Sequence, residues 1–204
     1  MIFILKTIKP EIRILAIDDG PFEFKRKGKD ILIGVIFRGG EFIDGVLKEE
    51  IEIDGNDAEE KIIKMTNETK HKGQLRVLML DGITFAGFNI VNIKNISEKT
   101  KLPVIVINRK KPNFDYFLKA LAKINKYEKG MECVKAAGDV YLTKVKPLKD
   151  KRYGKVFYQF YGCTNDIAEK IIKLSSTRAF IPEPVRVAHL IATGIVLGES
   201  LGRA

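Results

Sequence analysis

The sequence predicts an α/β protein in which a mixed sheet carries helices on its faces. Three strand-like segments joined by short links precede the first helical segment, and short links indicate antiparallel pairing. Apolar strands then alternate with helical segments, which is typical of parallel strands covered on both faces. The length of 204 residues suits one domain over residues 1–204, and 45% hydrophobic with 30% charged residues is a globular composition.

The first three strands are expected at residues 13–17, 31–37 and 42–53. The first ends at Asp18-Asp19-Gly20, and Arg38-Gly39-Gly40 makes a tight connection between the second and the third. Asp54-Gly55-Asn56-Asp57 then ends the sheet and begins a helix. Asp57 lies three residues before Glu60, which fits a capping box with Asp in place of Ser or Thr.

The fourth strand is expected at residues 77–80 and delivers Asp81 into a turn that contains Gly82. In open α/β sheets, ligands bind beyond the carboxyl ends of the strands, so Asp81 would stand at the mouth of a site. The alternative is that Asp81 only caps the turn, which is an ordinary role for Asp before Gly. Because the first strand also ends in an aspartate, Asp18, the sequence favours a site.

The rest of the chain continues the alternation of strands and helices. Helices are expected at residues 88–99, 114–126, 164–174 and 183–197. A strand is expected at residues 102–107, and two strand-like runs lie within residues 139–162 around a lysine-rich loop. The predicted sheet therefore has three antiparallel strands followed by parallel strands.

Converging carboxylates at the sheet edge indicate a divalent metal site. If the first and fourth strands are parallel neighbours, Asp18 and Asp81 emerge within reach of one ion. Mg²⁺ and Mn²⁺ prefer such oxygen ligands and retain several waters. They can polarise a phosphoryl oxygen and generate hydroxide for in-line attack.

The last helix supplies a candidate partner for these carboxylates. Arg186, His189 and Thr193 fall on one helical face. A histidine near carboxylates can bind metal or carry a proton to or from a reacting oxygen. A lone helical histidine is more often structural, so the residues by themselves leave these three roles open.

Positive charge is abundant and clustered. The net charge is +10, and basic residues concentrate at residues 25–29, 109–111 and 144–155. Basic loops on one rim are what binding to a phosphate backbone requires. The alternative, a charged surface typical of heat-adapted proteins, explains the abundance of charge but not its imbalance. The composition therefore favours nucleic acid, DNA or RNA, as the partner.

Cysteine usage and hydropathy indicate a reduced, cytoplasmic protein that does not bind membranes. Cys133 and Cys163 lack metal-ligand spacing, and no stretch approaches the length of a membrane span. Glycosylase chemistry is not expected either, because no aromatic pocket for an everted base can be identified.

Four motifs resemble the endonuclease V superfamily and occur in the same order. They are Ile17-Asp18-Asp19-Gly20, Leu80-Asp81-Gly82-Ile83, residues 102–110 and residues 182–189. Over nearly its full length the chain looks closest to an uncharacterised, mainly archaeal family related to endonuclease V. Asp-Gly-Ile-Thr-Phe-Ala-Gly-Phe at residues 81–88 and the ending at residues 198–204 carry that resemblance.

The resemblance implies a ribonuclease H-like fold and metal-dependent cleavage of phosphodiester bonds with Mg²⁺ or Mn²⁺. Asp18, Asp54, Asp81 and His189 would surround the metal, the three aspartates as its ligands. Asp57 or Glu59 are alternatives to Asp54 as the second carboxylate. The residues expected to contact nucleic acid are Arg109, Lys110, Lys111, Arg38 and Arg186.

One segment departs from the endonuclease V pattern. There, a segment containing Tyr and Pro wedges into the duplex beside the deaminated base. Residues 37–42 occupy the comparable hairpin here and contain neither Tyr nor Pro, so the resemblance leaves open whether inosine or another altered base is recognised. The predicted function is a metal-dependent nuclease acting on structured or modified nucleic acid. The alternatives are a non-catalytic protein that binds nucleic acid or nucleotides and, less favoured, a phosphohydrolase acting on a small nucleotide.

Overall fold

A seven-stranded mixed sheet forms the centre of the molecule. The computed structural model describes residues 8–22, 28–148 and 152–200. Within these ranges the strands are β1 (Arg13–Asp19), β2 (Lys29–Arg38), β3 (Phe42–Glu52), β4 (Val77–Asp81), β5 (Thr84–Phe85), β6 (Asn89–Ile90), β7 (Val104–Asn108), β8 (Tyr141–Val145) and β9 (Gly154–Tyr161). The α-helices are α1 (Ala58–Glu68), α2 (Ile93–Thr100), α3 (Phe114–Ala122), α4 (Tyr127–Ala137), α5 (Asn165–Ser175) and α6 (Glu183–Leu197). A short 3₁₀-helix at Lys72–Gln74 precedes β4.

The strand order confirms the predicted mixed sheet. The order is β3-β2-β1-β4-β7-β9-β8. The first three strands pair antiparallel, and β1, β4 and β7 pair parallel. The last two strands depart from the prediction, because β9 runs antiparallel to both β7 and β8. A short connection joins β8 to β9, and such a link can only return the chain antiparallel.

Two predicted helices have different bounds in the structure. The segment at residues 88–99 begins with β6, which pairs with β5 in a small separate sheet, and its helix α2 starts at Ile93. Asn92 caps this helix by accepting hydrogen bonds from the backbone N–H groups of Lys94 and Asn95. The helix predicted to reach residue 126 ends at Ala122, and α4 follows. The left-handed backbone at Asn125, with φ of 57°, separates the two helices.

The predicted capping box at Asp57 is wrong. The Asp57 side chain makes no hydrogen bond to its own helix; it accepts from the Asn89 side-chain amide at 2.6 Å and from the Glu52 N–H at 3.1 Å. Asn89 takes the capping role instead, because its Oδ1 accepts from the Ala58 N–H at 3.0 Å. Thr164 caps α5, because its side chain accepts from the Ile167 N–H.

Apolar layers cover both faces of the sheet. Leu15 and Ile17 of β1 pack on the side of α1 and α2, and the alternate residues of β1 pack towards α5. Helix α6 lies across β1 and β2, with Ala188 and Ala192 buried against the sheet. Because alanine is small, the helix lies close to β1, and this closeness brings the neighbouring His189 to the end of that strand.

Within the described ranges, the helices are all too short or too polar to cross a membrane.

Candidate metal site and nucleic-acid interface

Three ionisable side chains converge at the carboxyl ends of the neighbouring strands β1 and β4. The register pairs Ile17 with Leu80, so the residues that follow, Asp18 and Asp81, leave adjacent parallel strands side by side. His189 reaches the same point from α6. One ligand atom from each of Asp18, Asp81 and His189 lies within 4.8 Å of the other two. The structure therefore brings together three of the four residues expected to surround a metal.

A hydrogen bond joins His189 to the more buried of the two carboxylates. Its Nδ1 lies 2.9 Å from Asp18 Oδ2, and Asp18 is 5% exposed. This hydrogen bond raises the pKa of His189, because the carboxylate favours the protonated ring. Asp18 Oδ1 accepts from the backbone N–H of Asp19 at 2.9 Å, which fixes the orientation of the carboxylate.

Asp81 is paired with Arg109, the first residue after β7. Arg109 Nη2 lies 2.9 Å from Asp81 Oδ2, with the Asp81 side chain 17% exposed. Burial, and secondly the negative charge of Asp18, raise the pKa of Asp81 to about 6 although the Arg109 guanidinium acts in the opposite direction. The two carboxylates thus repel each other in a poorly solvated position.

The donor set fits a small divalent cation. Two carboxylates and an imidazole are ligands that Mn²⁺ accepts, and the carboxylates alone suit Mg²⁺. A cation between Asp18 and Asp81 would offset the repulsion that raises the pKa of Asp81. Among the described His, Cys, Asp and Glu side chains, these three form the group with metal-binding geometry.

The other carboxylates considered for the metal do not belong to this group. Asp54 Oδ1 accepts from the backbone N–H of Phe88 at 2.8 Å. Asp57 is held by Asn89 and Glu52, as described above. Glu59 accepts from the Asn92 N–H at 2.8 Å. Each of these side chains instead joins the α1 region to the segment after β4.

Asp19 was missed as a site residue although it adjoins Asp18 in the sequence. Its Oδ2 accepts from the Ala86 N–H at 2.8 Å. Burial, and secondly the charge of Asp18, raise the pKa of Asp19 to about 8. Successive strand residues point to opposite faces of the sheet, so Asp18 and Asp19 cannot both face Asp81. The Asp-Asp pair in the sequence therefore indicated that one of the two makes a contact away from the metal site.

Asp19 and Asp54 hold the two sides of one turn, at Ala86 and Gly87. Both turn residues have positive φ, 42° and 88°, and a Cβ at Gly87 would lie 2.3 Å from Asp54 Oδ1. Lys126 braces the same turn by donating to the carbonyl oxygens of Phe88 at 3.0 Å and Asp54 at 2.6 Å. Burial lowers the pKa of this lysine. The turn that follows Asp81 is thereby fixed by three side chains from distant parts of the chain.

The five basic residues expected to contact nucleic acid separate into two groups. Arg109 lies at the site, and Lys110 and Lys111 follow it as exposed residues. Arg38 pairs with Arg13 in the sheet register, at the opposite end of β1 from Asp18, which is about 17 Å away along a strand. It binds Asp44 at 2.9 Å. It lies away from Asp18 because β2 runs antiparallel to β1, and its contact with nucleic acid stays a prediction.

Arg186 is also engaged within the protein. Its Nε and Nη2 donate to the two carboxylate oxygens of Glu183, at 2.8 and 2.5 Å. Glu183 is 4% exposed, so this pair anchors the first turn of α6. Arg186 lies one helical turn before His189, and its guanidinium is directed to Glu183.

The hairpin at residues 37–42 lies at the same end of the sheet as Arg38. It connects β2 to β3 at the edge of the sheet that lies away from Asp18 and Asp81. A Cβ at Gly39 would lie 2.2 Å from the Pro10 carbonyl oxygen, which shows how tightly this connection packs on the segment before β1. The absence of Tyr and Pro here therefore carries no information about base recognition at the site.

The ends of three strands bring basic residues to the edge that carries the site. Leu32 pairs with Asp19, so Lys29, three residues earlier, projects beyond the site edge. Asn108 pairs with Phe157, so Lys155 lies beyond Asn108 at the same edge. Residues 25–27, 149 and 151 of the basic clusters lie outside the described residues. Together with Arg109, the described cations line one rim.

Comparison with known proteins confirms the expected relationship. The chain is 48% identical over 198 residues to a UPF0215 protein of Methanosarcina mazei, covering 97% of each chain. It is similar to the crystal structure of an Archaeoglobus fulgidus protein of unknown function, with a TM-score of 0.77, 36% identity and coverage of 90% of this chain and 97% of that one. The Ciona intestinalis endonuclease V in complex with inosine-containing DNA matches with a TM-score of 0.55 at 12% identity, covering 86% of this chain and 82% of that one.

These similarities agree with the ribonuclease H-like mixed sheet expected from the sequence. The model of the endonuclease dU family matches residues 10–196, which include every element from β1 to α6 except the last residue of α6. The chain belongs to the endonuclease dU family.

Proposed function

We propose that the protein is a divalent-metal-dependent endonuclease that hydrolyses phosphodiester bonds in nucleic acid. The observation that carries this proposal is the convergence of Asp18, Asp81 and His189, whose ligand atoms lie within 4.8 Å of one another. The group stands at the carboxyl ends of parallel strands, where ligands bind in open α/β sheets. The family name makes DNA containing deoxyuridine the first substrate to test.

Asp18 and Asp81 would hold Mg²⁺ or Mn²⁺, with His189 beside them. A cation bound there supplies Lewis-acid polarisation of a phosphate oxygen and a lowered pKa for water. Asp54 keeps its carboxylate on the Phe88 N–H and serves to position the turn after Asp81.

The protein's own side chains supply proton transfer and phosphate binding. With Nδ1 donating to Asp18, the other ring nitrogen of His189 remains to take a proton from an attacking water or to give one to a leaving oxygen. The hydrogen bond to Asp18 raises the pKa of His189, because the carboxylate favours the protonated ring. Arg109 holds Asp81 through Nη2, and its remaining N–H groups can donate to a phosphate oxygen.

The basic rim supports nucleic acid as the partner. Lys29, Lys155 and the run from Arg109 to Lys111 project from the site edge. Cations placed along one edge attract a phosphate backbone and position it without reading sequence. Cys133 and Cys163 are buried free thiols, which fits the proposed location in a reducing cytoplasm.

Cleavage and binding assays with Asp81→Asn test the proposal. The substrates are DNA and RNA duplexes and single strands, with and without deoxyuridine or inosine, in Mg²⁺, Mn²⁺ or EDTA. We expect metal-dependent cleavage that is abolished in Asp81→Asn. The affinity for nucleic acid should be retained, because the variant loses a metal ligand but no positively charged side chain. The control is Asp139→Asn, which neutralises an exposed aspartate outside the site and should cut normally.

One observation favours a non-catalytic alternative. Both carboxylates already have a cationic or hydrogen-bonding partner, Asp18 in His189 and Asp81 in Arg109. Such pairs reduce the need for an ion, so a protein derived from this fold can bind nucleic acid without cutting it. Tight binding with no metal-dependent cleavage across the whole substrate set would establish this alternative.

A further inference from the structure

Strand β3 lies at one side of the seven-stranded sheet, and within the described residues no other strand pairs with its outer side. It spans 11 residues, Phe42–Glu52. The unpaired N–H and C=O groups of an outer strand are a template for pairing with another chain, and natural proteins usually keep such strands short or cover them. The long outer side of β3 is therefore a candidate interaction surface.

The hydrogen bonds between β2 and β3 determine which residues of β3 point outwards. The Ile53 N–H donates to the Gly28 carbonyl oxygen at 2.9 Å, which continues the register of the two strands. Hydrogen-bonded and non-hydrogen-bonded pairs alternate along antiparallel strands, so the odd-numbered residues of β3 from 45 to 51 bond to β2. The backbone groups of Val46, Lys48 and Glu50 therefore point away from the sheet.

The open part of the strand ends at Glu52. The Glu52 N–H donates to Asp57 Oδ1 at 3.1 Å, and the Glu52 carbonyl oxygen accepts from the Gly55 N–H at 3.0 Å. The backbone groups of Glu52 are thus used within the protein. The segment available to a partner strand runs from Val46 to Glu50.

Charged side chains of both signs border this segment. A groove of about 510 Å³ along β3 is lined entirely by charged residues, three lysines and four acids. Lys48 and Glu50 are exposed and lie on the same face of the strand, two positions apart. Glu49 lies on the other face, where Lys61 and Lys64 of α1 pair with it at 3.6 and 2.9 Å. A partner strand must therefore carry charges of both signs, and the four acids disfavour a nucleic-acid backbone.

We propose that β3 pairs antiparallel with β3 of a second copy of this chain, about a two-fold axis at Glu49. In this register Lys48 of each copy lies opposite Glu50 of the other. Both residues present outward N–H and C=O groups, so each pair exchanges two backbone hydrogen bonds. Leu47 of each copy lies opposite Ile51 of the other. Opposite charges and apolar side chains that face each other across two strands stabilise the pairing.

The charges of β3 select this register over its neighbours. An axis at Lys48 or at Glu50 also pairs outward residues, but it places like charges directly opposite each other, which is destabilising. An axis at Leu47 places Glu50 opposite Asp44. An axis at Glu49 does bring the two Glu49 side chains together, but each is already paired with two lysines of its own α1. The strand is thus complementary to itself in one register, and a second copy is the partner that fits it.

The inference is independent of the proposed function. The pairing joins two seven-stranded sheets into one, and β2 separates β3 from β1, which carries Asp18. Lys48 and Glu50 therefore lie outside the metal site. Substitutions at these two positions should leave metal binding and cleavage unchanged.

Exchanging the two charges tests the proposal. Sedimentation equilibrium measures the dimer dissociation constant of the parent, Lys48→Glu, Glu50→Lys, the double variant Lys48→Glu/Glu50→Lys, and an equimolar mixture of the two single variants. The controls reverse the charge of exposed residues elsewhere, Lys144→Glu on β8 and Glu128→Lys on α4. All the replaced side chains are exposed, so every variant should fold, and thermal unfolding checks this.

We expect the parent and both controls to dimerise, and each single variant to dimerise at least about tenfold more weakly, because two attractive pairs become two repulsive ones. The double variant should regain the parent's dissociation constant, and the mixture should form heterodimers, because both restore opposite charges at each pair. In hydrogen exchange, the Lys48 and Glu50 amides should lose their protection when the parent is diluted. The Glu49 amide, which bonds to β2, should stay protected.

Three results would overturn the proposal. The first is a parent that stays monomeric up to about 200 μM, which would leave the outer side of β3 to a strand of another protein. The second is a parent dimer whose dissociation constant is unchanged in both single variants. The third is a loss of dimerisation in the single variants that neither the double exchange nor the mixture restores.

Discussion

Replacing Asp81 with Asn should stabilise the metal-free protein at neutral pH. Burial and the charge of Asp18 raise the pKa of Asp81 from 3.8 to about 6 in the folded state. That difference corresponds to about 3 kcal/mol of lost stability once the group is ionised in both states. The side chain is only 17% exposed, so solvent screening removes little of this cost. Asparagine keeps the shape of the side chain and removes the charge.

The pH dependence follows from the direction of the shift. Below pH 3.8 the carboxyl is protonated in the folded and unfolded chains, so it costs nothing. Between 3.8 and about 6 the unfolded chain ionises first, and folding stability falls as pH rises. Above this window the full cost is present. The advantage of Asp81→Asn should therefore be absent at pH 3.5 and complete at pH 7.5.

Thermal and urea unfolding in EDTA at these two pH values measures the effect. For a chain of this length, about 3 kcal/mol corresponds to a rise in Tm of about 6–12 °C at pH 7.5. Adding Mg²⁺ at about a hundred times its Kd should stabilise the parent by about 2.7 kcal/mol and Asp81→Asn much less. The buried charge of Asp81 would not be the cost inferred here if Asp81→Asn were no more stable than the parent at pH 7.5. The same would follow if the difference in stability between variant and parent were equal at the two pH values. Asp139→Asn controls for the loss of one negative charge.

Three further predictions concern the site and its rim. His189→Ala should slow cleavage, more in Mn²⁺ than in Mg²⁺ if the ring binds the metal, because Mn²⁺ is the better acceptor of nitrogen. If the ring carries a proton instead, the loss should be equal in both metals and the pH–rate profile should change. In calorimetry Asp54→Asn should bind Mn²⁺ as the parent does, because the Asp54 carboxylate accepts from the Phe88 N–H. Asp18→Asn should lose Mn²⁺ binding. An equal loss of binding in both variants would place Asp54 at the metal. Replacing Lys110 and Lys111 with Ala should weaken binding to all sequences and lower the slope of log K against log salt by about two, and an unchanged slope would remove them from the interface.

The sequence was sufficient to predict the parts of the site that depend on strand direction. Apolar runs ending in Asp18 and Asp81 indicated two parallel strands with a shared edge, and the structure has that pairing. His189 followed from the helical spacing of the last segment and from the resemblance. Arg38 lies at the opposite end of β1 from Asp18, because the carboxyl end of an antiparallel neighbour lies at the opposite end of the sheet.

What sequence reasoning missed depends on contacts between distant segments. The resemblance assigned Asp54 to the metal, whereas in the structure its carboxylate accepts from the Phe88 N–H, more than thirty residues later. Lys126 carries no sequence signal for bracing that turn, since its partners are backbone carbonyls.

Crystals of the protein soaked in Mn²⁺ would show where the metal binds, because anomalous scattering locates the ion independently of any assay. We expect an ion bound by both Asp18 and Asp81, at about 2.0–2.3 Å from a carboxylate oxygen of each, with His189 beside it. The bound ion should either displace Arg109 from its 2.9 Å contact with Asp81 or share the Asp81 carboxylate with Arg109. An ion held at Asp54, Asp57 or Glu59 instead, or no ion at this edge of the sheet at saturating Mn²⁺, would contradict the account.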